Sequence, residues 1–162
     1  MLEMSRKAIT LFGRLFGVEK STVWIGNEKY LTRWILYVGG GTLRLHKFWR
    51  GDDGRASHTH PWWFITFPLA PYIEDVYRQG IWKGRRVVKA FRPHFRSAKF
   101  EHIVISRAVQ KVDTDMFAVA TLPYWARDPR PFYTIVISGH RSNAWGFYPE
   151  PGLFIYWRDS LS

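Results

Sequence analysis

The sequence predicts an all-β fold in a single domain, either a sandwich or a closed barrel. Short segments rich in β-branched and aromatic residues are separated by Gly, Pro and Asp, a spacing typical of such folds. The chain of 162 residues contains no internal repeat and no linker, and a chain of about this size buries roughly 68–70% of its unfolded surface. The predicted strands are residues 30–38, 42–49, 58–69, 73–79, 86–92, 102–109, 116–122, 132–138 and 146–148.

The turns between these strands are predicted from residues that adopt turn conformations at low cost. Gly, Asp and Pro cluster at residues 39–41, 51–54, 80–84 and 127–131. Each cluster lies between two predicted strands, so the turns and the strands support the same all-β reading.

The N-terminal segment has a different pattern. Residues 5–16 place apolar side chains at mixed three- and four-residue spacings, which predicts a short amphipathic helix. We therefore expect residues 1–29 to form this helix and a lead-in, residues 30–157 to form the barrel, and residues 158–162 to form a C-terminal tail.

Composition limits the function classes. Aromatic residues make up 18% of the chain, too many to lie singly on the surface, so many must line a core or a cavity. Cysteine is absent, which excludes thiolate ligands and leaves His, Asp and Glu for any metal site. The formal net charge of +11 favours polyanionic partners such as nucleic acid or phosphorylated metabolites, although scattered basic residues that solvate the surface explain it equally well.

The apolar runs are far shorter than the roughly 20 residues that span a bilayer. No signal peptide is recognised, because the N-terminal segment lacks a continuous apolar stretch followed by a small-residue cleavage site. The sequence thus predicts no membrane span and a cytoplasmic location.

Three histidines carry the main chemical signal. His58 and His60 lie two residues apart in a predicted strand, where side chains alternate between faces, so both imidazoles point to one side. His102 begins another apolar strand, and the separation allows intervening strands to bring it beside the pair. We expect these three rings to hold a divalent metal ion.

The stretches that carry these histidines resemble the two motifs of the cupin superfamily, a double-stranded β-helix or jelly-roll barrel. They are GRASHTHPW at 54–62 and RPHFRSAKFEH at 92–102. In that superfamily the first motif supplies His-x-His and usually a Glu, and the second motif supplies one more His. The segments LHKFWR at 45–50, HTHPWW at 58–63, FRP at 91–93, ISG at 137–139 and WGF at 145–147 are similar to a group of small cupin proteins common in phage and bacterial genomes.

The identity of a fourth ligand stays open. Phe64 and Ile65 stand where the cupin motif usually places a carboxylate after His60. Glu74, on the next predicted strand, is the candidate replacement, and the alternatives are a water molecule or a structural role as a solvated strand residue.

Further residues are candidates for a substrate pocket. Arg44 and His46 share one face of a predicted strand. Trp62 and Phe64 lie two and four residues after His60, so in a strand they share its face. Trp62 and Phe64 could form an aromatic wall or simply belong to the core, and His46 could line the pocket or be a hydrogen-bonded histidine of the barrel.

Three classes of function follow. Three imidazoles suit Fe, Mn, Ni or Zn without distinguishing between them, and the resemblance to cupins implies a metal-dependent enzyme of oxygenase or related type acting on a small polar or anionic substrate. The alternatives are a non-catalytic module that binds a ligand or nucleic acid, and a phage-associated structural or host-interaction protein. A homodimer is a further expectation, since cupin barrels often pair through outer strands.

Overall fold

The computed structural model describes residues 2–11, 14–52, 56–108 and 127–156. The regular structure of these residues is entirely β. The strands are β1 (Leu2–Leu11), β2 (Arg14–Ile25), β3 (Glu28–Val38), β4 (Gly41–Phe48), β5 (Ser57–His58), β6 (Phe64–Pro68), β7 (Tyr72–Arg78), β8 (Ile81–Val88), β9 (His94–Arg96), β10 (Glu101–Ala108), β11 (Arg127–Asp128), β12 (Phe132–Ser138), β13 (Gly146–Glu150) and β14 (Leu153–Tyr156).

The strands form two curled antiparallel sheets. The first sheet has the order β1-β2-β3-β4-β12-β6-β9, and the second has the order β14-β13-β5-β10-β7-β8, with β11 paired to β10. Neighbours in these sheets come from distant parts of the sequence, as in the pairing of β12 with β4 and β6. The prediction of an all-β barrel is confirmed.

One end of the barrel is filled by aromatic residues. Phe132 stacks on Phe48, with ring centroids 4.9 Å apart, and on Tyr72 at 5.3 Å. These residues belong to a buried cluster that also includes Val104, and burying such rings supplies much of the stability of a small core. This cluster fills one end of the interior, and a second apolar cluster, formed by Ile73, Ile103, Ile105 and Ala108, is buried on β7 and β10.

Polar residues follow along the same faces of the strands. On β4, the residues that share the inward face with Phe48 are His46, Arg44 and Thr42, because alternate residues of a strand point to the same side. Their neighbours on β12 are Thr134, Val136 and Ser138. The interior thus changes from apolar to polar along the barrel, and that gradient sets where a binding site can form.

A tight turn joins β3 to β4 at the polar end. Val38 pairs with Gly41 across the turn, and Gly39 and Gly40 both have positive φ, at 53° and 83°. Such a two-residue turn requires positive φ at both central positions, which glycine adopts without steric cost. The predicted turn at 39–41 is confirmed.

The predicted N-terminal helix is wrong. Residues 2–11 form β1 and residues 14–25 form β2, and the two strands pair antiparallel from Leu2↔Val23 to Leu11↔Arg14. β2 also pairs with β3 over Gly17–Ile25, so ladder hydrogen bonds to the barrel outweigh the weak helical signal of this segment. The proposed division of the chain at residue 30 stays a prediction.

One further predicted strand is interrupted in the structure, and another lies where the structure gives no description. The single strand at 58–69 is divided into β5 and β6, because Pro61 has no N–H to donate to a ladder. The predicted strand at 116–122 lies outside the described residues. No helix long and apolar enough to cross a membrane occurs in the described part of the chain.

Candidate metal centre

Three histidines converge between the sheets. His102 on β10 is the register partner of His58 on β5, and His60 lies two residues beyond the end of β5. The ring centroids of His60 and His102 are 5.1 Å apart. The ring centroid of His58 lies 5.1 Å from that of His60 and 5.3 Å from that of His102. One nitrogen of each ring lies within 4.8 Å of the other two, so the three imidazoles can address one point.

The donor atoms fit a metal ion. Nε2 of His60 lies 3.0 Å from Nε2 of His102, which is the separation of two adjacent nitrogens bound to one ion through bonds of about 2.0–2.1 Å. Burial lowers the pKa of His60 well below its usual value, and the nearby His102 and His58 lower it further. His60 is therefore a neutral imidazole at physiological pH, the form that binds metals. The Nε2 atoms of His60 and His102 can form a hydrogen bond to each other or bind one metal ion together, and each arrangement excludes the other.

Glu74 on β7 orients His102. Its Oε2 lies 2.9 Å from Nδ1 of His102, so the Nδ1 proton is donated to the carboxylate and Nε2 is free as a donor atom. Glu74 is fully buried, and its Oε1 also accepts hydrogen bonds from Arg86 Nε at 2.7 Å and from Arg96 at 2.9 Å. Burial raises the pKa of Glu74, but His102, Arg96 and Arg86 together lower it to about 2. Glu74 is thus an ionised carboxylate at neutral pH.

The geometry does not place Glu74 with the three histidines as a fourth donor. The group of donor atoms within 4.8 Å of one another comprises the histidines, while both Glu74 oxygens are engaged on the far side of the His102 ring. Asp52, a residue for which the sequence suggested a turn role, is also fully buried. Its Oδ2 lies 3.8 Å from Nδ1 of His58, so a buried carboxylate faces that side of the ring.

The predicted pocket residues divide into two pairs. Phe64 is 5% exposed and packs on His60, with ring centroids 4.4 Å apart, so it shields the histidines from water. His46 lies on β4 beside Phe48, at a ring distance of 6.0 Å. Its Nε2 is buried without a hydrogen-bond partner among the described residues, and burial together with Arg33 and Arg44 lowers its pKa well below the usual value.

Arg44 and Trp62 form the second pair. The guanidinium carbon of Arg44 lies 4.2 Å from the centroid of the Trp62 ring, a cation–π contact. Burial lowers the pKa of Arg44 to about 10, with a further contribution from the charge of Arg33. Arg44 also contributes to the low pKa of His60, so it lies within electrostatic reach of the three histidines.

A pocket of about 420 Å³ opens beside Arg44 and Trp62. It is lined by the glycines of the β3–β4 turn, by Thr42 and Ser138, and by Arg141. It lies at the polar end of the barrel, opposite the aromatic cluster, as the register of β4 and β12 requires. Sequence reasoning found Arg44 and Trp62 but missed Arg141, which has no strand pattern to reveal it.

The positive charge that suggested a polyanionic partner is partly neutralised by ion pairs within the chain. Arg85 donates to Asp75 through Nε at 2.7 Å and through a terminal nitrogen at 2.8 Å. Arg86 and Arg96 both bond Glu74. These three arginines are engaged by carboxylates, and nucleic-acid binding stays a prediction based on net charge.

Comparison with known proteins supports the fold. No protein-family model and no curated protein matches the sequence. The structure is similar to that of FeII HppE in complex with substrate, with a TM-score of 0.51, 9% identity, and coverage of 82% of this chain and 56% of that chain. It is also similar to Fe(II)-HppE with the alternative substrate (S)-1-HPP, with a TM-score of 0.50, 9% identity, and coverage of 74% and 55%.

These neighbours have the cupin fold, and the chain described here is a cupin-type β-barrel. It spans little more than half the length of the neighbours. At 9% identity the likeness concerns the fold alone. The resemblance to the group of small phage and bacterial cupins stays a prediction.

Proposed function

We propose that the protein is a metal-dependent cupin enzyme of oxygenase or related type that acts on a small polar or anionic substrate. The observation that carries the proposal is the convergence of His58, His60 and His102, whose donor atoms lie within 4.8 Å of one another. Three imidazoles are a donor set that suits Fe, Mn, Ni or Zn. Which of these ions binds depends on the coordination geometry of the site and on the metals available to the protein.

Glu74 has a supporting role in this proposal. Its contact with Nδ1 of His102 at 2.9 Å favours an orienting role over that of a fourth ligand. A carboxylate that accepts the far proton of a metal-binding histidine fixes the ring and raises the basicity of the other nitrogen. The two arginines on Glu74 keep it ionised and immobile.

The other candidate residues bind and shield the substrate. Arg44 supplies positive charge next to Trp62, and the buried Nε2 of His46 offers a neutral hydrogen-bonding atom. Phe64 covers the His60 ring and limits access of water. A bound divalent ion would act there as a Lewis acid or, if it is redox-active, would support oxygen chemistry.

Metal analysis tests the proposal. Protein purified without added metal, and the same protein loaded with Fe(II), Mn(II), Ni(II) or Zn(II) and desalted, should retain close to one ion per chain. His58→Ala and His102→Ala should lose it, because two imidazoles hold an ion far more weakly than three. His94→Ala is the matched control, since His94 bonds the Lys89 carbonyl away from the three histidines.

Equal metal content in the wild type and the His58→Ala and His102→Ala variants would overturn the ligand assignment. If the ion is retained only when all three histidines are present, oxygen uptake by the Fe(II) protein with a panel of small organic acids tests the oxygenase class. Uptake that depends on His102 supports that class, and no uptake across the panel argues for a binding role.

A further inference from the structure

The pocket at the polar end of the barrel contains a buried cation without a counter-ion. Arg44 is 8% exposed, and no carboxylate of the described residues lies within ion-pair distance of it. Its Nε donates to Thr42 Oγ1 at 2.7 Å, and one face of the guanidinium lies against Trp62. The group is thus held along one edge and one face, while it borders the pocket.

The charges near Arg44 are mostly positive. Arg33 lies on the same inward face as Arg44, opposite His46, and its Nε donates to Ser21 Oγ at 3.2 Å. Burial lowers the pKa of Arg33. Arg141, at the rim, adds a further exposed guanidinium. Glu19, a buried carboxylate on β2, accepts a hydrogen bond from Tyr37 OH at 2.9 Å, and its charge raises the pKa of both Arg33 and Arg44 against the larger lowering by burial. One carboxylate beside three guanidinium groups leaves this region with an excess of positive charge.

Burying a charge without a partner is costly, and such a cost is typical of binding sites rather than of structural cores. A guanidinium with a fixed edge presents its remaining N–H groups in a fork that matches the oxygens of a carboxylate or a phosphoryl group. The pocket is large enough for a small organic acid. Glycines at 39–41 keep its wall free of side chains.

We propose that this pocket binds an oxyanion, the carboxylate or phosphoryl group of a small organic acid, between Arg44 and Arg141. The inference rests on the proposed function in one respect only, that the acid is the substrate whose other end reaches the three histidines. Oxyanion binding itself needs no metal ion. The two parts can therefore fail separately.

The experiment measures anion binding to metal-free protein treated with a chelator. Inorganic phosphate and acetate are titrated by calorimetry at constant ionic strength set with KCl. The wild type should bind at least one of these anions, and the stronger of the two identifies the phosphoryl or the carboxylate class. Arg44→Met, which keeps the contact with Trp62, should weaken binding by about ten-fold or more, the usual effect of losing a charged hydrogen bond.

Two further variants make the result specific. Arg141→Gln, an exposed position at the rim, should weaken binding by a smaller factor of about three. Arg130→Gln is the matched control, because it removes one positive charge from an exposed side chain bonded to Asp128, and it should bind as the wild type does.

Absence of binding by both anions in the wild type would overturn the inference. So would equal affinity in the wild type and Arg44→Met, or an equal loss in Arg130→Gln, which would indicate a general effect of net charge. If the protein binds an anion but fails to retain any metal ion when loaded and desalted, the pocket stands and the proposed enzyme is removed. Metal retention without anion binding would do the reverse.

Discussion

Two groups of arginines border the interior of this barrel, and they differ in whether a carboxylate meets them. Around Glu74, Arg86 and Arg96 both bond one buried carboxylate, which also holds His102. Around the pocket, the described hydrogen bonds from the Nε atoms of Arg33 and Arg44 go to hydroxyl groups. In the first group each guanidinium is hydrogen-bonded to a carboxylate of the chain itself. In the second group Glu19 lies near enough to act on both guanidinium groups through its charge, while their Nε atoms bond hydroxyl oxygens.

This contrast separates a positioning role from a binding role within one barrel. A buried network with all its partners present is rigid and keeps one geometry, which suits a residue that orients a metal-binding histidine. A buried charge that lacks a partner lowers stability and is retained where function requires it. Substitutions in the two groups should therefore change the free energy of unfolding in opposite directions.

The largest effect is expected at Glu74. Glu74→Gln removes the charge that neutralises Arg96, whose side chain is 8% exposed, and should lower the free energy of unfolding by about 3 kcal/mol or more, because a buried charge is left unpaired. Urea denaturation measures this. Glu28→Gln is the control, since Glu28 and its partner Arg50 are both exposed, and it should change stability by less than about 1 kcal/mol. Equal losses in the two variants would contradict the contrast.

The next effect concerns pH and His46. Its folded-state pKa is depressed by burial and by two arginines, so the unfolded chain takes up a proton near pH 6.5 that the folded protein does not. The contribution of His46 to stability should thus be full above about pH 6.5 and decline as the pH falls, by up to about 1.4 kcal/mol per pH unit. His46→Gln should show a shallower decline between pH 6.5 and 5.5. Parallel pH profiles for the two proteins would argue against a buried neutral His46.

The smallest effect has the opposite sign. Arg44→Met should raise the free energy of unfolding in the absence of anions by about 1 kcal/mol, because an apolar side chain replaces a buried cation without a counter-ion. Arg96→Met, the matched change in the neutralised group, should lower it. Thermal and urea unfolding in chloride-only buffer compare the two, and a loss of stability in both variants would show that Arg44 is as well satisfied as Arg96.

The sequence predicted the parts of this structure that depend on local patterns. The strands at 30–38 and 132–138 follow from alternation and turn residues, and the structure has β3 and β12 there. His58 and His60 were expected to point to the same side because residues two apart in a strand share a face. The proximity of His102 was expected from its position at the start of a strand and from the resemblance to cupins.

The parts that were missed depend on contacts between distant residues. Arg96 meets Glu74 across 22 residues of sequence, and no local pattern reveals that pairing. The N-terminal helix was predicted because Ile9, Leu11 and Leu15 suit more than one periodicity, and the pairing of β2 with β3 decided the outcome. The role of Glu74 was also underdetermined, since a carboxylate next to a histidine can bind either the metal or the ring.

Anomalous diffraction from crystals of the metal-loaded protein, recorded at the absorption edge of the bound metal, tests the central claim most directly. The account predicts one peak at bonding distance, about 2.0–2.2 Å, from a nitrogen of each of His58, His60 and His102, with Glu74 still on Nδ1 of His102. A peak elsewhere, or no peak and a hydrogen bond retained between the Nε2 atoms of His60 and His102, would contradict it.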